Sequence, residues 1–103
     1  MKEIKIIVKK VGEPHRVEIV KDEYSTYNNL VGGYIEVVSL DKDVLMVCNE
    51  EGKRYGLKPN LLLPHDIIVG DIFFCSQKGP DFASLTDAQI SYIGRFLEST
   101  SLL

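Results

Sequence analysis

The chain has 103 residues, 45% of them hydrophobic and 26% charged, with a formal net charge of −3. That length closes one hydrophobic core, so residues 1–103 are expected to form a single domain, and the composition is too apolar for a disordered chain. The acidic balance excludes a general nucleic-acid-coating protein, whose affinity comes from Lys and Arg on phosphate, but leaves room for one small anion in a local basic pocket or for a basic partner protein.

In chain order, Ile4, Ile6 and Val8 alternate with Lys5, Ile7 and Lys9, the period of a strand with one apolar and one mixed face. Gly12 and Pro14 interrupt the pattern. Arg16 to Lys21 resumes it, with Val17 and Ile19 opposite in sense to Arg16 and Glu18, and the short link predicts an antiparallel neighbour. Lys2, Lys5, Lys9, Lys10, Arg16 and Lys21 form the one basic cluster, expected to be a solvated sheet face or a charged edge.

Tyr24, Tyr27, Leu30 and Val31 then fall at helical spacing, and a short helix is expected between Asp22, as its cap, and Gly32-Gly33, which take the left-handed conformation of a C-terminal cap. A hairpin follows: Tyr34 to Leu40 outward, Asp41-Lys42-Asp43 as the turn, Val44 to Cys48 back. The return strand is apolar on both faces and so belongs in the middle of the sheet. Asn49 to Lys53 reads as a further turn, with Asn bonding its own backbone and Gly52 supplying a positive φ; Arg54 to Leu57 pairs back at most briefly. Pro59 and Pro64 bracket an apolar patch at Leu61 to Leu63. Ile67 to Val69 leads to a turn at Gly70-Asp71, Ile72 to Ser76 is a buried strand, and Lys78 to Asp81 a surface loop.

The final helix is predicted over Asp87 to Glu98. Thr86 with Gln89 three residues on makes a capping box, Leu85 and Ile90 make a hydrophobic staple, and Ile90, Ile93 and Leu97 share a face. Thr100 to Leu103 is expected to fray. The architecture implied is α+β: a small mixed, mostly antiparallel sheet, a short central helix, and the C-terminal helix packed on one face.

Cys48 and Cys75 sit in apolar, strand-like runs and read as buried small hydrophobes rather than a disulfide or metal pair. No Cys or His spacing matches a zinc site, so no metal or cofactor is expected. The N-terminus lacks the pattern of a signal peptide, and no apolar run is long enough to span a membrane, which predicts a cytoplasmic protein without membrane attachment. No nucleophile, phosphate-loop or dinucleotide motif occurs, so the reading is non-enzymatic.

The candidate site is the turn Asn49, Glu50, Lys53 and Arg54 with Tyr34 and Glu36 from the neighbouring strand. Asn49 and Glu50 would hydrogen-bond a ribose or base edge, Lys53 and Arg54 would meet phosphate, and Tyr34 would stack on a base. The competing reading is that Asn49 and Gly52 only shape a turn.

The series Val31-Gly32-Gly33-Tyr34-Ile35-Glu36, Asn49-Glu50-Glu51-Gly52-Lys53, Leu57, Asn60, Ile68 through Gly70-Asp71, and Ser84-Leu85-Thr86 resembles the family called domain of unknown function 3846. Lys58-Pro59-Asn60 departs from its shorter apolar lead into the Asn. The resemblance implies a small accessory protein of a phage, plasmid or related mobile element, acting inside the bacterial host cell, with no catalytic residues to transfer. Two functions fit it, with a hydrolase of unrecognised site as a weaker third. One is an anti-defence ligand-binding protein, oligomeric in many such cases, that sequesters a nucleotide-derived immune signal. The other is an acidic inhibitor or regulator of a host protein.

Overall fold

Alternating and doubly apolar runs become eight strands, and the two stretches of helical spacing become helices. The computed structural model describes residues 2–103. In chain order these are β1 (Glu3–Lys9), β2 (Arg16–Lys21), α1 (Tyr24–Val31), β3 (Ile35–Asp41), β4 (Val44–Asn49), β5 (Pro59–Leu63), β6 (Asp66–Val69), β7 (Ile72–Lys78), β8 (Asp81–Ala83) and α2 (Asp87–Thr100). The main sheet runs β2-β1-β7-β4-β3, with β8 on β7, and β5-β6 is a separate two-stranded ribbon. The fold is α+β as expected, but every strand pairing among the described residues is antiparallel, so the sheet is not the mixed one predicted.

Because successive side chains of a strand point to opposite faces, the sheet carries two cores. Ile7, Met46, Cys48, Ile72 and Phe74 face α2 and the β5-β6 ribbon, meeting Leu61, Ile68, Leu85, Ile93 and Leu97. Ile4, Ile6, Val8, Leu45, Val47, Phe73 and Cys75 face the other way, against Tyr27 and Val31 of α1. β4 and β7 are buried on both faces, which is why both read as continuous apolar runs. Cys48 and Cys75 are free and buried, and they belong to opposite cores, so they cannot reach each other.

The caps differ. Thr86 and Gln89 form the complete capping box: Gln89 N donates to Thr86 Oγ1 at 3.1 Å and Thr86 N to Gln89 Oε1 at 2.8 Å. Gln89 Nε2 also donates to Ser76 Oγ and to the Asp43 carbonyl, tying the helix start to β7 and the β3-β4 turn. Gly32 caps α1 at φ 78. Asp22 is not the N-cap of α1. That position is Glu23, with no side-chain cap bond, while the Asp22 carboxylate accepts from the Tyr27 hydroxyl and pairs with Lys2 at 3.4 Å. Tyr24, expected on the buried face, is exposed.

The C-terminus is tied rather than frayed. Thr100 is buried, Leu61 and Ser101 form an antiparallel bridge, and Leu102 N donates to the Asn60 carbonyl at 3.0 Å. Lys9 leaves the solvated basic cluster: at 1% exposure its Nζ donates to the Lys10 carbonyl at 2.9 Å and to Asn60 Oδ1 at 2.8 Å. Asn60 Nδ2 returns bonds to the Lys9 and Gly70 carbonyls. This network fastens β1 to β5 and the turn before β7. Burial pushes the Lys9 amine below its ordinary value, against the opposing charges of Asp71 and Glu13.

Candidate functional site

Asn49 closes β4 opposite Ile35, and its side chain turns inward. Its Nδ2 donates to the Val31 carbonyl at 3.2 Å, and its Oδ1 accepts from Glu51 N at 2.8 Å. At 9% exposure, Asn49 thus holds the end of α1 against the turn after β4, and both ends of its amide are committed to the backbone. A Cβ on Gly33 would lie 2.9 Å from Asn49 Nδ2, so Gly33 is glycine because the amide passes over it. Gly52 does not have the positive φ expected of it; that conformation falls on Gly56 at φ 68. Gly52 is instead buried beneath β6, where a Cβ would meet Val69 Cγ2 at 2.9 Å. Asn49 and Gly52 thus both shape the turn, with close approach rather than φ as the reason for the glycine.

The loop after Asn49, the end of the β3-β4 hairpin and strand β6 enclose a cleft of about 410 Å³. Glu36, Asn49, Glu50, Lys53 and Arg54, all candidates from sequence, line it together with Glu51, Asp66 and the apolar Val38, Cys48, Ile67, Ile68 and Val69. Tyr34 does not. It lies with Tyr55 on an adjoining hollow of about 470 Å³, of which Asn49 and Glu51 form the shared border.

The electrostatics of the cleft depart from the sequence reading. Lys53 is ion-paired to Asp66, and Arg54 Nη1 lies 3.0 Å from Glu51 Oε2. The Lys53 hydrogen bond, followed by the Ile67 backbone N–H, holds the Asp66 carboxyl below its usual range. Glu36 and Glu50 have no ion-pair partner among the described residues. Four carboxylates thus stand against two cations, and both cations are already engaged. Cys48 is the one thiol in the lining. Burial, then the charges of Glu36 and Asp66, push its pKa up to about 11, so it is a protonated thiol and not a nucleophile at neutral pH. No His, Ser or Thr lines the cleft. Among the described residues no three His, Cys, Asp or Glu side chains converge as a metal-ligand group, and no helix is long and apolar enough to cross a membrane.

Sequence reasoning missed the β6 wall. Asp66 to Val69 is separated from Asn49 by the whole β5 strand, and its only local signal was a charged residue ahead of an apolar run. Its arrival over the turn depends on the ribbon folding back, with Gly70 N donating to the Lys58 carbonyl at 2.8 Å.

The family model described as a domain of unknown function (DUF3846) matches residues 2–98, nearly the whole chain. Comparison with curated proteins and with solved structures finds no significant match.

Proposed function

The chain belongs to the DUF3846 family, a membership that assigns no activity, and from its own cleft we propose that it is a non-enzymatic binding module for a basic segment of a partner protein. The observation that carries this is the charge state of the cleft: Lys53 and Arg54 are each paired to a carboxylate, while Glu36 and Glu50 are left free beside an apolar lining. A nucleotide phosphate would have to share Lys53 with Asp66 and Arg54 with Glu51, and would sit among the remaining carboxylates. A Lys or Arg side chain would meet Glu36 and Glu50 directly and lay its aliphatic stem on Val38 and Ile67, as long cationic side chains do. Among the two functions considered from the sequence, this favours the acidic regulator of another protein over the sequestering of a nucleotide signal.

The reading predicts that a Lys/Arg-rich peptide binds in calorimetry, more weakly as salt rises, and that Glu36→Gln and Glu50→Gln each weaken it about tenfold. ATP is expected to give no heat. Binding of ATP with no response to the peptide, or peptide affinity untouched by both Gln variants, would overturn the proposal.

A further inference from the structure

The strand order of the main sheet ends in β3 on one side and β2 on the other, and the two ends are built differently. The register of β3 slips between Ser39 and Asp41, and it presents the carboxylates of Glu36 and Asp41, features that discourage strand addition by a second acidic chain. β2 has no such slip, and its charges Arg16 and Glu18 are of opposite sign. It pairs with β1 in unbroken register from Glu3↔Lys21 to Val8↔Arg16. Its apolar residues Val17 and Ile19 lie opposite Ile7 and Lys5, on the face that α2 covers, yet α2 does not extend over them. Val17 is 48% exposed and Ile19 56%, and neither belongs to the core beneath the helix.

We propose that β2 is the contact through which two copies of this chain pair, edge to edge, about a two-fold axis at Val17. In an antiparallel pair, residues directly opposite share a face. An axis at Val17 therefore sets Val17 against its own copy, and sets each Ile19 beside the other chain's His15. It also places Arg16 opposite the second copy's Glu18, and Glu18 opposite its Arg16. Both ion pairs are made at once because a two-fold contact is self-complementary. In the single chain Arg16 bridges to Glu18 on its own strand and to Glu13 at 3.6 Å, contacts that pairing exchanges for the equivalent ones across the two copies. Opposite charges across a strand pair stabilise it and like charges oppose it, which makes the register testable.

Sedimentation velocity over a concentration series of the full chain is the experiment. The expected weight-average mass rises from 11.6 kDa toward twice that value. Arg16→Glu and Glu18→Arg should each stay at the single-chain mass, because each opposes like charges, while an equimolar mixture of the two should recover the rise. Val17→Lys should abolish it. These positions are at the surface or its margin, and circular dichroism of each variant checks that the fold is kept. A parent at the single-chain mass throughout, association unaffected by the substitutions, or a mixture that fails to associate would each overturn the proposal.

Discussion

The amide of Asn49 can be separated from the glycine beneath it by a double-mutant cycle. Asn49→Ala removes the acceptor of the Glu51 N–H and the donor to the Val31 carbonyl. The Val31 side is buried, and a buried group left unpaired costs about 1–3 kcal/mol; the Glu51 N–H, nearer water, costs about 0.5–1.5 kcal/mol. The expected loss is about 2–4 kcal/mol. Gly33→Ala in the parent introduces a Cβ 2.9 Å from Asn49 Nδ2, and the amide can move away only by giving up its bond to Val31. That costs about 1–2 kcal/mol, offset by the roughly 0.4–1 kcal/mol that Ala contributes by restricting the unfolded chain. Gly33 lies outside the left-handed region, so its backbone accepts Ala. In the Asn49→Ala background the obstacle is gone, and Gly33→Ala should become stabilising. Urea denaturation of the four proteins measures this: a coupling of about 1 kcal/mol or more, with Gly33→Ala changing sign, is expected. Additive effects would refute the account of why this position is glycine.

Ile93→Ala should cost about 2–5 kcal/mol in urea denaturation, since its side chain is fully enclosed beneath the sheet; an unchanged midpoint and slope would contradict the packing. Thr86→Ala should cost about 0.5–2 kcal/mol, and Gln89→Ala more, because Gln89 also holds Ser76 and the Asp43 carbonyl; equal or reversed losses by the same assay would show that the ties beyond the cap are idle. Stability should fall as pH rises from about 9 to 11. Cys48 and Cys75 are raised by burial to about 11 and about 12 from 9.0, so the folded chain keeps protons that the unfolded chain releases. Tyr27, raised chiefly by burial and by its bond to Asp22, acts in the same sense, whereas Lys9, lowered by burial, acts in the opposite one. A urea midpoint constant to pH 11, or one that falls as steeply in Cys75→Ala, would reject this assignment.

Much of the fold was legible because it is local. The alternation of β1 and β2, the doubly apolar β4 and β7, and the Thr86-Gln89 box each state their structure within a few residues. β5 was read only as a proline-bounded patch. Pro59 occupies the first position of a strand in a two-stranded ribbon, a place that tolerates it, but the partner strand that makes it a strand is not visible nearby. β8, at three residues, is too short for any period. The burial of Lys9 was not legible because it depends on Asn60, far along the chain. At the site, Glu36, Asn49, Glu50, Lys53 and Arg54 were gathered from two adjacent strands and one turn. Asp66 and the engagement of the two cations were not, because ion pairing depends on distances that spacing does not encode.

β7 is the strand that joins two otherwise separate halves of the sheet, with the β1-β2 hairpin on one side of it and the β3-β4 hairpin on the other. During synthesis both hairpins are made before Ile72 to Lys78, and until that strand joins them neither has the neighbour that buries its inner border. Helix α2, which covers one core, emerges later still. A chain halted before Ile72 would thus carry two apolar hairpins with no common strand, the kind of species that chaperones hold. Closure of the sheet is therefore a late event of vectorial folding.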